Sequence, residues 1–285
     1  MRVLAANIED VMREAAARWT LVAYFFLSTL FIITFASAIN LDVVDGALAG
    51  AKLFGKEVEM RGSGPSILEL VTGFETVFSV ILYMVCTFLA VFATAHLVPR
   101  MQEKGTVDLY LARPVGRVHL LLMRYIAGLI LAGSNVVYLI GSIWLIVVWK
   151  TGVANTRFLL AGAIIFLVIA VLLAFAFLVG VFTSSTAVSI MTTYGLALFG
   201  VLLWVAHSKF VAAVSSDWQA YLIEGLYWTV PKTLELGVAV FSYVGGEQMS
   251  RMVQTSVPAS AFISTALFGI GCLTLASWLF TRKEF

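Results

Sequence analysis

Charge is what this sequence has least of. Only 12% of its 285 residues are Asp, Glu, Lys or Arg, 61% are hydrophobic, and the mean hydropathy is +1.00. A water-soluble domain carries roughly 25% charged and about 45–50% apolar residues, so neither a soluble globular fold nor a disordered chain fits. The formal net charge of +2 is too small to attract a polyanion, and no nucleic-acid partner is expected. Two cysteines, Cys86 and Cys272, exclude a disulfide framework and a CxxC zinc site. They are expected to pack as small hydrophobes. The histidines (His96, His119 and His207) are scattered, and HExxH and G-x-S-x-G are both missing. No catalytic residue and no metal site can be named in this chain, and it is not expected to be an enzyme.

What the sequence does have is long apolar runs. A helix needs roughly 20 apolar residues to cross the hydrocarbon core of a bilayer. Five stretches contain no Asp, Glu, Lys or Arg: 20–41, 76–99, 125–149, 158–208 and 252–281. The fourth, at 51 residues, is right for two crossings. Its polar cluster Thr183-Ser184-Ser185-Thr186 marks a tight turn. Six spans follow, at 20–39, 75–97, 120–148, 158–182, 187–206 and 259–280. Their interiors read as free of charge, with Glu69 and Glu75 near the outer edge of the second, and this argues against a proton-driven carrier. Ser134, Asn135, Tyr138 and Ser142 recur at helical spacing in span 3, as interhelical hydrogen-bonding groups would.

Lys and Arg set the orientation. With the N-terminus inside, ten basic residues fall on inner segments and eight on outer ones, the inner segments having roughly double the density. Both termini are expected in the cytoplasm. Ala36-Ser37-Ala38 after the apolar run has the look of a signal-peptide cleavage site. Cleavage would leave five spans, but the preceding segment is acidic as well as basic, and a retained helix is expected.

Residues 1–19 carry Leu4, Ile8, Val11, Met12, Ala15 and Trp19 on one helical face, which reads as an amphipathic interfacial helix. Residues 20–285 read as one six-span domain. Its outer loop, 40–73, has turn-like Asp45-Gly46 and Gly55-Lys56 pairs suited to a small hairpin. Its outer region, 207–258, is too long to be idle. The apolar pieces there are too short to cross and suit helices that dip into the outer leaflet, shielded by protein.

The inner loop, 98–119, is the most informative stretch. Pro99 is placed to end the second span. Thr106 can cap a short helix with Asp108 in its first turn, Val107, Leu109, Tyr110 and Leu111 form an apolar face, and Arg113-Pro114 stops it. Such a helix, held between two spans, suits docking to a soluble partner.

The run Glu103-Lys104-Gly105-Thr106, then Leu109, Leu111-Ala112-Arg113-Pro114-Val115 and Arg117, resembles the E-x-G-T…L…P-[VI]-x-R stretch of ABC-2 type permeases, the membrane subunits of ABC exporters. The resemblance is sharp over about 25 residues and otherwise architectural: an amphipathic N-terminal helix, six spans, a long outer region before the last. It implies an all-α integral membrane fold with a cytoplasmic coupling helix between spans 2 and 3 that seats in an ATP-hydrolysing subunit. Carried over residue by residue, coupling falls to Glu103, Gly105, Thr106, Arg113, Pro114 and Arg117. Glu103 and Arg117 would offer charges, Gly105 a sharp turn and Pro114 a stiff exit. The resemblance further implies two cytoplasmic ABC ATPase subunits and a second permease copy, identical or related. The path would lie near spans 2 and 5, where Ser189, Thr192, Thr193, Tyr194, Gly195 and Gly200 form a small polar face.

No G-x-x-x-x-G-K-[ST] motif occurs in these residues; Gly55-Lys56 is followed by Glu57. The chain should therefore hold no cofactor itself, with ATP and Mg bound by the partner. The expected setting is a bacterial or archaeal cytoplasmic (inner) membrane, and the expected cargo apolar, amphipathic or lipid-linked. One alternative keeps the ATPase but passes its motion to an extracytoplasmic partner without transport. A membrane-embedded enzyme is a third class, for which no residue stands out.

Overall fold

The structure is a computed structural model that describes residues 20–44, 47–53, 56–57, 67–103, 116–210, 217–253 and 257–283. The amphipathic segment at 1–19 lies outside the described residues. Helix α1 (Thr20–Ala38) leads into three short antiparallel strands, β1 (Ile39–Val44), β2 (Ala47–Leu53) and β3 (Lys56–Glu57), in the order β1-β2-β3. The strands flank the two turn-like pairs in the outer loop. Everything else regular is helical: α2 (Ile67–Thr94), α3 (Leu97–Met101), α4 (Arg117–Thr151), α5 (Thr156–Thr183), α6 (Thr186–Phe210), α7 (Asp217–Thr229), α8 (Thr233–Val253) and α9 (Ala259–Arg282). α2 continued by α3, and α4, α5, α6 and α9, are each long and apolar enough to cross a membrane. The apolar part of α1, Val22–Ser37, is shorter.

α5 is apolar on every face, which buries a helix on all sides rather than along one stripe. It touches α2, α3, α4, α6, α8 and α9. Phe158, Ile165, Ile169, Leu172 and Phe177 are fully buried along it. Its caps explain its limits. The Asn155 side chain accepts from the Arg157 amide at 3.1 Å at the start. At the end Ser184 takes the left-handed conformation (φ 53°) and donates its amide to the Gly180 carbonyl at 2.9 Å. The turn expected at Thr183-Ser184-Ser185-Thr186 is therefore there.

Two boundaries differ from expectation, each for a stated reason. Pro99 does not end the second span. The helix breaks at Ala95-His96 and resumes as α3 with Pro99 in its first turn. A proline ring collides with the carbonyl four residues back, which is Ala95, so the break falls before the proline. α2 also begins well before Glu75, which is buried near its start and accepts from the Asn155 side-chain amide at 2.7 Å. Arg124 is likewise buried inside α4. Among the described residues, the membrane-length helices thus bury the ionisable side chains Glu75 and Arg124, where the sequence suggested interiors free of charge.

Of the polar residues expected to bond between helices, Asn135 and Tyr138 of α4 do so, whereas the Ser134 hydroxyl donates to the Leu131 carbonyl of its own helix. The Ser28 hydroxyl donates to the Asn135 amide oxygen at 3.0 Å, and the Thr29 and Tyr138 hydroxyls lie 2.9 Å apart, tying α1 to α4. Cys86 and Cys272 are free and buried. On α6, Ser189, Thr192 and Thr193 bond back to their own helix, while the Tyr194 hydroxyl reaches the Phe88 carbonyl of α2 at 2.6 Å.

The outer region forms a hairpin that enters the bundle. α7 descends and α8 returns between α2, α5 and α6, with Val230, Pro231 and Lys232 at the turn. Side chains from other helices meet the exposed backbone there. The Tyr83 phenol donates to the Thr233 carbonyl, and the Lys232 amide donates to the Thr265 hydroxyl at 3.1 Å. The Thr233 hydroxyl donates to the Ala197 carbonyl at 3.3 Å. Gly200 admits the turn, since a Cβ there would stand 2.9 Å from the Pro231 carbonyl oxygen. At ~1.5 Å per residue Tyr83 lies about 16 Å along α2 from Thr94, so the tip sits deep among the spans.

Tyr83→Phe leaves the Thr233 carbonyl buried without its phenol donor. Unfolding in detergent should show a loss of about 1 kcal/mol; an unchanged midpoint would mean that the phenol does not hold the tip.

Candidate functional site

The two roots of the segment joining α3 to α4, Gln102-Glu103 and Gly116-Arg117, are described; the residues between them lie outside the described residues. Of the residues named as coupling candidates, Glu103 and Arg117 are described; Gly105, Thr106, Arg113 and Pro114 lie outside the described residues. Glu103 is exposed, and its amide donates to the Arg100 carbonyl at 3.1 Å, closing the end of α3. Arg117 opens α4. Its guanidinium donates to the Lys283 carbonyl at 2.9 Å and the Thr281 carbonyl at 3.3 Å. Arg117 therefore holds the start of α4 to the end of α9.

The other root is held by residues that the sequence did not single out. The Gln102 side-chain amide donates to the Gly180 carbonyl of α5 at 2.9 Å. Its oxygen accepts from the Ser184 hydroxyl at 2.9 Å and from the Lys283 ammonium. Lys283 donates in addition to the Val181 carbonyl and the Ser184 hydroxyl, both at 2.7 Å. Partial burial pushes the Lys283 ammonium below its ordinary pKa range, because the charged form loses water. Three oxygen acceptors stand in for that water. Both roots of the loop thus converge on the residues that follow α9 and on the α5–α6 turn.

An apolar floor lies under this clasp. Leu97, Val98 and Met101 of α3 pack with Leu120 and Leu121 of α4, Phe177 and Val181 of α5, and Phe280 of α9. Gly180 permits the approach, since a Cβ there would lie 3.1 Å from the Pro99 ring. Arg124 donates to the Leu97 carbonyl at 2.8 Å, so α3 is pinned at both ends. Arg124 lay in the sequence as one more positive charge of an inner flank, and Lys283 as part of a charged tail. Only Ser184 carried a usable signal, as a polar residue in a long charge-free window.

A second polar group surrounds the hairpin tip. Lys232 is only 5% exposed, with its ammonium 4.0 Å from the Tyr227 ring centre and 3.8 Å from that of Trp228. The Tyr227 hydroxyl donates to Glu235, and His207 stacks on the Tyr227 ring at 3.9 Å. The ammonium is held on two aromatic faces. Among the described residues no three His, Cys, Asp or Glu side chains come together as a metal site.

The family model described as "ABC-2 family transporter protein" matches residues 3–285. The chain belongs to the ABC-2 transporter family. It is an integral membrane protein, a membrane component of a transporter. No curated protein matches it. For an ABC-2 protein, the loop between α3 and α4 is the surface to which the resemblance assigned the partner, and it is the one whose roots the structure ties down.

Ser184 tests the clasp directly. A non-glycine residue in the left-handed region costs roughly 1–2 kcal/mol, so Ser184→Gly relieves strain while losing the hydroxyl and should change stability by less than about 1 kcal/mol. Ser184→Val keeps the strain, adds a branched side chain and loses both bonds, for a loss of about 2–3 kcal/mol. Thermal unfolding of both variants beside the unmodified chain decides it: Ser184→Gly more stable than the unmodified chain by the full strain relief of about 1–2 kcal/mol would count against the clasp.

Proposed function

We propose that this chain is the permease subunit of an ATP-driven exporter, in which a separate cytoplasmic ABC ATPase binds ATP and Mg and drives alternating access. The observation that carries this is the anchoring of the 104–115 segment. Both of its roots are fixed by directed hydrogen bonds, and Glu103 at the first root is exposed. A docking element has to be rigidly rooted if a push on it is to move helices rather than flex a loop. These residues contain no phosphate-binding loop, and in this reading hydrolysis belongs to a partner, in two copies beside a permease pair, identical or related.

The six-span count follows if α1 crosses. Its 19 residues span about 28 Å at ~1.5 Å per residue, close to the roughly 30 Å of a hydrocarbon core. Both termini then lie in the cytoplasm of a bacterial or archaeal cell, with 1–19 lying along the inner leaflet. Glu103, Gly105, Thr106, Arg113, Pro114 and Arg117 form the coupling surface, with Arg117 acting through its hold on α9. An apolar or amphipathic cargo suits grooves such as the one of about 760 Å³ bounded by Leu27, Phe31, Met84, Phe88, Tyr194 and Leu198, because it would not have to desolvate charge to enter them.

One observation favours the second function, transmission to an extracytoplasmic partner. The β1-β2-β3 sheet projects at the end opposite the coupling loop, where Lys150 at the end of α4 donates to the Ala36 carbonyl at 2.7 Å. Reconstituted vesicles holding only the permease and the ATPase separate the two, since ATP-dependent cargo movement in them would exclude pure transmission.

The chain should co-purify from its native membrane with an ABC ATPase. Glu103→Lys combined with Arg113→Glu should lower the recovered ATPase roughly tenfold, as reversal of interfacial charges costs on the order of 1–3 kcal/mol. An unmodified chain that brings down no ATPase would refute the exporter function; recovery unaffected by the reversals would refute only the assigned surface.

A further inference from the structure

We infer that Lys283, with Gln102 and Ser184, is the joint through which the coupling loop drives α5 and α9, and that Lys283 is its positioning residue. This rests on the coupling function proposed above. The loop is continuous in sequence with α3 and α4, and those neighbours would be the expected receivers of its motion. The hydrogen bonds point elsewhere. Gln102, one residue before Glu103, is bonded to the Gly180 carbonyl of α5 and to Ser184 just beyond it. Lys283, one residue beyond α9, donates to Val181, Ser184 and Gln102 together. Arg117, where the chain leaves the loop, is fixed to carbonyls of Thr281 and Lys283.

One ammonium thus binds three parts of the chain at a single point: the root of the loop, the end of α5 and the end of α9. Apolar contact beneath it is non-directional and tolerates sliding, whereas hydrogen bonds to fixed carbonyls set register. Gly180 is occupied from both sides, its carbonyl by Gln102 and its Cα by the Pro99 ring. Ser184 holds a left-handed backbone without being glycine. Such strain persists where surrounding contacts over-determine it, and here two partners hold its hydroxyl. A downward or lateral shift of Glu103 therefore has to carry the ends of α5 and α9 with it, or break the joint.

The test uses the complex co-purified with its ATPase, reconstituted in lipid nanodiscs. Hydrogen–deuterium exchange across residues 156–183 and 259–283 is compared without nucleotide and with ATP plus vanadate, and ATPase turnover and subunit ratio are recorded alongside. In the unmodified complex, ATP with vanadate is expected to change exchange in both segments. Lys283→Met should assemble but reduce that change at least about fivefold, while Lys283→Arg should retain most of it. A second arm replaces the joint covalently. Gln102→Cys with Ser184→Cys should lose the response, and a short bis-methanethiosulfonate linker across the two thiols should restore it. A purely structural role would lower assembly and melting temperature in step with the response, without restoration of the ATP-dependent difference.

The joint is refuted if Lys283→Met responds like the unmodified complex, or if the unlinked cysteine pair still responds and linking it abolishes the response, because the loop root would then have to leave α5 during the cycle. Failure of the unmodified chain to bring down any ATPase is a different result; it overturns the coupling function and this inference with it.

Discussion

A peptide group in hydrocarbon has no water to bond to, so each break in a helix within the bilayer must be served by side chains from elsewhere. That constraint organises this molecule. The helices satisfy themselves; the interruptions do not. At the hairpin tip the backbone of Lys232 and Thr233 is met by Thr265 of α9 and Tyr83 of α2. At the Ala95-His96 break the restarted helix is held by Arg124, which bonds to Leu97. At the α5–α6 turn Gln102 adds a second bond to the Gly180 carbonyl, which already accepts from the Ser184 amide, and Lys283 donates to the Val181 carbonyl. Arg124 and Gln102 thus serve backbone carbonyls at such breaks, while Glu75, Asn135 and Glu235 pair with side chains instead.

α5 makes that arrangement possible. Because it has no polar face to turn outward, it can be surrounded, and the other helices pack round it. α6 is its opposite, with Met191, Leu198 and Leu202 largely exposed. These side chains face lipid or a neighbouring subunit, whereas α5 meets other parts of its own chain throughout. Motion imposed on α5 is therefore shared by most of the bundle, while α6, which packs on α5, α7 and α8 and lightly on α2 and α3, keeps one side open.

The spans were legible because hydrocarbon excludes charge and charge-free windows are easy to find. Of the six expected stretches, all but the second coincide with a helix to within a few residues at both ends, and five of the described helices are long and apolar enough to cross. The exception marks where charge is tolerated after all. The second span begins well before its window because Asn155 serves Glu75 inside the bundle, a partner 80 residues away that no local pattern announces. Pro99 was legible as a breaker, but its effect falls on the carbonyl four residues earlier and not on its own position. The hairpin was visible as apolar pieces too short to cross, and the need to shield it followed from physics, though not the identity of Tyr83 or Thr265. The clasp was not legible. Lys283 and Arg117 serve the positive-inside bias equally well with or without partners, so their placement in sequence carried no information on what they hold. Of the coupling residues themselves, only Glu103 and Arg117 are described, and Arg117 holds α9 where the sequence suggested a free charge.

The two sets of directed contacts share the same two carriers. α2 gives Tyr83 to the hairpin tip and continues through α3 to Gln102 at the clasp. α9 gives Thr265 to the tip and is followed at once by Lys283 at the clasp. Each element is fixed by hydrogen bonds near one end and at a second point deep in the bundle, with apolar packing between. Packing alone transmits a displacement poorly along a preferred direction, since it resists compression more than sliding. A helix bonded at two points has its register set at both, so displacement at the clasp must appear at the tip unless the helix bends. α2 has a place to bend, at Ala95-His96. α9 shows no interruption from Ala259 to Arg282. The stiffer link between the roots of the α3–α4 loop and the hairpin therefore runs through α9, whose connection to those roots is Lys283 together with the carbonyls that Arg117 holds.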